Sequence, residues 1–150
     1  MIYNRMKGIY VLILKLDTDL DLTIGKLGTI NFKRGHYYYI GSALGTGGFK
    51  RVTRHFNVAS GINTTRKWHI DYLLPNSSVI CALLIQTDEA LECKAAKELM
   101  EYSDIIPGFG CSDCTCKAHL FFNDMDIRKV IIEIASKLTG NESIIIYPSM

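Results

Sequence analysis

Residues 8–16 (GIYVLILKL) are apolar on both alternating faces, the pattern of a strand covered on two sides. A turn at Asp17 to Asp21 leads into a second β-rich segment, 22–33 (LTIGKLGTINFK), whose glycines at 25 and 28 predict a bulge or bend. Arg34-Gly35 reverses the chain into a third strand, 36–41 (HYYYIG), and Ser42 to Gly48 is a glycine-rich connection. Phe49, Val52, Phe56 and Ala59 then recur at helical spacing and predict a helix of about three turns. A short helix is expected over 68–74, ended by Pro75, and a buried strand over 79–86 (VICALLIQ). Thr87-Asp88 is placed to cap a helix from 89 to about 102, with Lys94/Glu98 and Lys97/Glu101 as ion pairs on its wet side. A loop over 107–116 and a short strand over 119–122 precede an amphipathic helix, 126–138, closed by Gly140. The tail SIIIYP reads as an edge strand. The order of elements predicts one α+β domain over 1–150.

Composition narrows the class. At 150 residues, 48% hydrophobic and 21% charged, the chain suits one globular domain that needs no disulfide or metal staple. No apolar run approaches the roughly 20 residues that span a bilayer. The run from Gly8 to Leu14 meets Lys15 and Asp17 too soon for a secretory segment. These features predict a cytoplasmic protein with no membrane partner. The five cysteines, at 81, 93, 111, 114 and 116, accordingly read as thiols rather than a disulfide framework.

Charge changes the picture more. From Leu22 through Ile70 there is no Asp or Glu, but there are Lys26, Lys33, Arg34, Lys50, Arg51, Arg54, Arg66 and Lys67, a balance of +8. The remainder carries nine basic and fifteen acidic side chains, a balance of −6. Such segregation suits a polyanion, although lysines solvated on a hairpin would look the same. On the first helix Arg51 and His55 are four apart, one turn above the other, with Arg54 beside them. A guanidinium matches phosphate oxygens with a planar fork, and an imidazole moves protons near neutrality. A solvated basic face is the plainer reading. Tyr10 lies in the first strand, while Tyr37 and Tyr39 share one face of the third and Tyr38 takes the other. Strand tyrosines are usually core residues, but nearby cations lower a phenol's pKa and would make Tyr10 a proton acceptor.

Gly8-Ile9-Tyr10 and Tyr39-Ile40-Gly41, continued by Ser42-Ala43 and by Arg51-Val52-Thr53-Arg54-His55, resemble the two motif halves and arginine helix of the GIY-YIG nuclease superfamily. More narrowly, the chain resembles a branch with YIGSA, RHF, WHIDYLL and GFG-x-SDC-x-C blocks, sometimes attached to endonuclease III. The likeness runs from Gly8 to about Phe122. It implies a small central antiparallel β-sheet flanked by helices, with a core over 6–122 and a C-terminal helix and tail over 123–150. It implies Tyr10, Tyr39, Arg51 and His55 as catalytic residues and Glu92 as the ligand of a single divalent metal. Independently, Glu92 precedes Ala96 by four and Leu99 by seven, at the edge of an apolar stripe, whereas Glu89, Glu98 and Glu101 look solvated. A carboxylate turned inward usually has a partner, and one carboxylate with waters suits Mg²⁺ or Mn²⁺. His69 is either a further catalytic or phosphate-contacting residue or a structural imidazole tied to Asp71 or a backbone carbonyl.

Departures from the superfamily pattern are the 29 positions between Tyr10 and Tyr39 and the long glycine connection before Arg51. The polar residue that often completes the site late in the chain has only Ser112 or Asp113 as candidates. The run Cys111-x2-Cys114-x-Cys116-x2-His119 crowds four possible zinc ligands into nine residues. Its CxC step is not the usual CxxC knuckle and no second pair follows, which favours small buried cysteines over structural zinc or a cysteine nucleophile. The resulting expectation is a divalent-metal-dependent endonuclease acting on nucleic-acid phosphodiesters, DNA above all, in repair or processing. Lys33, Arg34, Lys50, Arg54, Arg66 and Lys67 would hold the backbone. The alternative is a catalytically silent nucleic-acid-binding module that works with a repair-protein partner.

Overall fold

The computed structural model describes residues 2–111 and 116–148. Strand β1 (Gly8–Leu16) is apolar throughout because it is central. It pairs antiparallel with β4 (Gly35–Ala43) on one side and β5 (Ser78–Gln86) on the other. Beyond β4 lie β7 (Leu120–Asn123) and the short β6 (Asp104–Ile105), and beside β5 lies β8 (Ile144–Ile146). The result is a six-stranded antiparallel sheet in the order β6-β7-β4-β1-β5-β8. The fold is α+β.

Helices cover both faces, which explains why an antiparallel strand lacks the usual polar alternation. Tyr10, Leu12, Leu14 and Leu16 point toward α1 (Lys50–Ser60) and α2 (His69–Leu73). Ile9, Val11 and Ile13 point toward α3 (Glu92–Leu99) and α4 (Arg128–Thr139). Each fully buried aliphatic side chain of these two cores contributes about 1.5–3 kcal/mol relative to exposure. Residues 128–146 thus pack onto the same sheet, and the Tyr38 hydroxyl ties the start of α4 by accepting the Ile127 N–H at 2.9 Å. No helix among the described residues is long and apolar enough to cross a membrane.

Two local expectations are corrected. Segment 22–33, expected to carry a bulge or bend at its glycines, is not one continuous strand. It contributes to a separate two-stranded hairpin, β2 (Leu20–Thr23) with β3 (Thr29–Phe32), because Gly25 and Gly28 take φ of 46° and 82° and reverse the chain between them. The third helix starts at Glu92 rather than 89. The Thr87 hydroxyl accepts the Glu89 N–H at 3.1 Å, a local turn that competes with helix initiation, and buried Leu91 seats the first turn. The helix also ends at Leu99, which leaves Glu101 outside it. Glu98 meets Lys137 of α4 at 3.8 Å rather than Lys94.

Candidate active site

Register brings the two motif tyrosines together. Tyr10 of β1 stands opposite Gly41 of β4, and Tyr39 stands opposite Leu12, two residues along the same face. Gly41 carries no side chain because a Cβ there would overlap the Tyr10 phenol ring. Gly8 is bare for a similar reason, since its Cβ would overlap the Ile85 carbonyl on β5. The glycines of the motif therefore let a phenol lie flat across the neighbouring strand. The segment is steric before it is chemical.

Behind Tyr10 lies His55 of α1, fully buried, with its Nε2 sharing a 2.8 Å hydrogen bond with the Tyr10 hydroxyl. From the helical spacing His55 was expected to share one basic face with Arg51. It is instead part of the inward stripe formed by Phe49, Val52, His55 and Val58, with Phe56 and Ala59 only half-buried. Burial, reinforced by the charge of Arg54, lowers its pKa to about 3, so the ring is neutral at ordinary pH. Arg51, one turn earlier, stays exposed at the mouth and donates from Nη1 to the Ser42 carbonyl at 2.8 Å.

A cleft of about 590 Å³ opens in front of these groups. Tyr10, Tyr39, Arg51, His69 and Glu92 line it, together with Lys67. Glu92 enters from the first turn of α3, with its Oε2 at 3.5 Å from Nδ1 of His119. Among the described residues His69 is tied neither to Asp71 nor to a carbonyl: its Nδ1 accepts the Gly110 N–H at 2.9 Å. In the neutral ring that bond leaves the proton on Nε2, and burial lowers the pKa, so neutral is the favoured state.

The phenols run against expectation. Burial raises the Tyr10 pKa well above its ordinary value, and the Tyr39 and Glu92 charges add to the effect, while Arg51 lowers it by charge and hydrogen bond. Burial and Glu92 likewise raise Tyr39, again with Arg51 opposing. The cation is where the sequence placed it, but desolvation outweighs it. Tyr10 is a neutral phenol, not a ready phenolate.

The predicted backbone-binding residues divide. Lys50 and Arg54 border a second hollow of about 330 Å³ that shares Arg51 and Trp68 with the main cleft. Arg66 is exposed beside Lys67. Lys33 and Arg34 precede β4 at the end opposite Gly41, about 20 Å away by strand rise. Arg54 is already committed: Nη1 and Nη2 donate to the two Asp71 oxygens at 2.8 and 2.9 Å. Its guanidinium carbon also lies 4.3 Å from the Trp68 ring centroid, so Arg54 is a framework residue more than a phosphate contact.

A family model described as "Domain of unknown function DUF123" matches residues 9–140. The chain belongs to the DUF123 family. No curated protein and no solved structure matches it. The part of the chain shared with DUF123 contains every cleft residue named so far.

Several DUF123 cleft residues escaped the sequence reading. Lys26, from the β2–β3 hairpin turn, lines the cleft although its segment read only as β-rich with a bulge or bend. Trp68 forms the wall between Arg51, Arg54 and Lys67, which lie 5.1, 4.3 and 5.6 Å from its ring centroid. A lone tryptophan inside an all-basic stretch was the available signal. His119 also lines the cleft, buried, with Nδ1 donating to the Ile40 carbonyl at 3.2 Å. Ser112, Asp113 and Cys114 lie outside the described residues. The cysteines are not all thiols: Cys93 on α3 is joined to Cys116 by a disulfide. Twenty-three residues separate the two, so no local spacing announced the pair.

Proposed function

We propose that the cleft binds a nucleic-acid phosphodiester, DNA first, and hydrolyses it with one divalent metal ion, as a cytoplasmic GIY-YIG-type endonuclease in DNA repair or processing. The observation that carries this reading is the convergence of Tyr10, Tyr39, Arg51 and Glu92, from β1, β4, α1 and α3, on one basic-walled cleft. Glu92 offers a half-buried carboxylate in a space large enough for coordinated waters, a donor set suited to Mg²⁺ or Mn²⁺ rather than to a soft metal. When bound, such an ion supplies neutralisation of charge at the leaving oxygen.

The chain's own residues divide the remaining work. The Tyr10 phenol takes a proton from the attacking water as its own passes to His55 Nε2 across their 2.8 Å hydrogen bond. Arg51 meets the charge that develops on the phosphoryl oxygens. His69 donates from Nε2 to a phosphate oxygen, and Lys26 and Lys67 hold the flanking backbone. Trp68 offers a face on which an unpaired base can stack.

This relay predicts a particular pH dependence. His55 is charged only below about pH 3, and Tyr10 remains a phenol through the neutral range. The single-turnover rate should therefore be nearly flat from about pH 5 to about pH 8. A tenfold rise per pH unit across that window would mean that a phenolate is the base and would remove the relay.

Burial of the phenol also favours the one rival, a module that binds DNA beside a repair partner and does not cut. Supercoiled plasmid separates the two. The proposal expects nicked circles with Mg²⁺ or Mn²⁺ and none with a chelator. Plasmid that is retarded on a gel but stays supercoiled with every metal would establish the silent module instead.

A further inference from the structure

The strongest feature outside the phosphodiester chemistry lies directly behind Glu92. One ligand atom each of Cys93, Cys116 and His119, two sulfurs and an imidazole nitrogen, lie within 4.8 Å of one another. They come from three places in the fold: the first turn of α3, the segment leading to β7, and the residue just before β7. Two thiolates on one tetrahedral zinc ion stand about 3.8 Å apart for Zn–S bonds of about 2.3 Å, so the cluster has the span of a zinc site. His119 is the buried member of the cluster. Its Nδ1 donates to the Ile40 carbonyl at 3.2 Å and faces Glu92 at 3.5 Å, which in the neutral ring puts the lone pair on Nε2. An N–H directed at a carbonyl or carboxylate is what usually fixes the tautomer of a metal-binding histidine.

We propose that, with the disulfide reduced, Cys93, Cys116 and His119 bind one Zn²⁺ ion that ties the first turn of α3 to the segment entering β7. The disulfide is the metal-free, oxidised form of the same site. A dithiol reductant passes two electrons to the Cys93–Cys116 bond and becomes a disulfide itself, and each freed sulfur gains a proton. Both thiol protons leave as the thiolates bind Zn²⁺. In the reverse direction a small-molecule disulfide takes two electrons from the two thiolates and leaves as a pair of thiols with protons from water, the Cys93–Cys116 bond re-forms, and the ion departs.

This site differs in kind from the one at Glu92. Thiolates and imidazole select zinc, whereas a lone carboxylate with waters selects Mg²⁺ or Mn²⁺. The sequence pattern had put the possible zinc ligands in the run from Cys111 to His119. The structure instead recruits Cys93, which no local spacing connects to that run. Because Cys93 adjoins Glu92 on α3, the zinc ion would set the position of the carboxylate that faces the cleft. The site itself requires no cleavage activity.

The test is metal content in two redox states. Full-length protein reduced with a phosphine, loaded with zinc and stripped of free metal by gel filtration should retain one zinc per chain by elemental mass spectrometry. Protein oxidised to the disulfide should retain none. Cys93→Ser and Cys116→Ser should each lose the stoichiometric zinc. Co²⁺ added to the reduced wild type should give an intense thiolate-to-cobalt charge-transfer band and tetrahedral visible bands, a readout that depends on no variant folding. Reduced wild-type protein that retains no zinc and gives no such spectrum would overturn the proposal, as would a Cys93→Ser chain that keeps its zinc. Plasmid cleavage has no part in these readings, so the zinc site and the nuclease reading stand or fall separately.

Discussion

Arg51→Ala should slow metal-dependent plasmid cleavage by about 100- to 1,000-fold, equivalent to about 2.7–4 kcal/mol of transition-state stabilisation. The guanidinium is exposed at the cleft mouth, where it donates to the Ser42 carbonyl at 2.8 Å and bonds to the Tyr10 hydroxyl. Its loss should therefore leave folding nearly unchanged while removing the guanidinium that the proposal assigns to the phosphoryl oxygens. Arg51→Lys should recover only part of the rate, because an ammonium cannot hold Ser42 and span two phosphate oxygens in one plane. Glu92→Gln should cost at least as much and should also remove the stimulation by Mg²⁺ or Mn²⁺, since an amide of the same shape binds a hard cation poorly. Glu92 sits in the first turn of α3 and faces His119 at 3.5 Å, so the substitution forfeits a favourable dipole interaction of about 0.3–1 kcal/mol and weakens that contact. Initial rates against metal concentration, with urea melts as the folding control, decide the matter. Wild-type rates in both variants would end the nuclease proposal.

Asp71→Asn is expected to destabilise the fold by about 3–5 kcal/mol, which is much of the stability of a domain this size. The Asp71 carboxylate has no solvent exposure, and Arg54 has 22% of its side chain exposed. Besides the two bonds from Arg54, the carboxylate accepts the backbone N–H groups of Lys67 and Trp68 at 2.8 and 3.0 Å. An amide can satisfy only part of that set and leaves a guanidinium without its counter-ion. Burial alone would raise the Asp71 pKa. The Arg54 hydrogen bonds, the two backbone donors and the Arg54 charge outweigh it, and the pKa is lowered. The sign of the pH effect follows. A lowered carboxylate pKa contributes stability above the unfolded value of about 3.9, and that contribution is lost as pH falls through the folded value. Urea midpoints should thus separate wild type from Asp71→Asn by about 1–3 M at neutral pH, and by less in strong acid. Equal midpoints at neutral pH would show that the pair is dispensable. Trp68 should shift with its lost anchor, so this variant is also expected to cleave poorly although Asp71 does not line the cleft.

The strands and helices were largely readable because their signals are local. β1 is continuously apolar, α1 and α4 show helical spacing, and Gly61 and Gly140 end those helices with φ of 86° and 74°. Glu92 was readable from its distance to Ala96 and Leu99. The Arg54–Asp71 pair was not, because its partners are 17 residues apart and neither residue type names the other. The Tyr10 phenol was misjudged for a related reason. A nearby cation is visible as a basic residue in the string, but the burial that outweighs it depends on what the rest of the chain packs on top.

Residue order alone therefore indicated most of the strands and helices, the acid-free basic third of the chain, and the side chains that the proposal assigns to phosphate chemistry. Tertiary packing decided the protonation of Tyr10 and His55, the removal of Arg54 from the basic face, the arrival of Lys26 and Trp68 at the cleft, and the meeting of Cys93 with Cys116 and His119. Periodicity and residue type act over a few positions along the chain, whereas desolvation, ion pairing and ligand geometry depend on neighbours that only folding brings within a few ångströms.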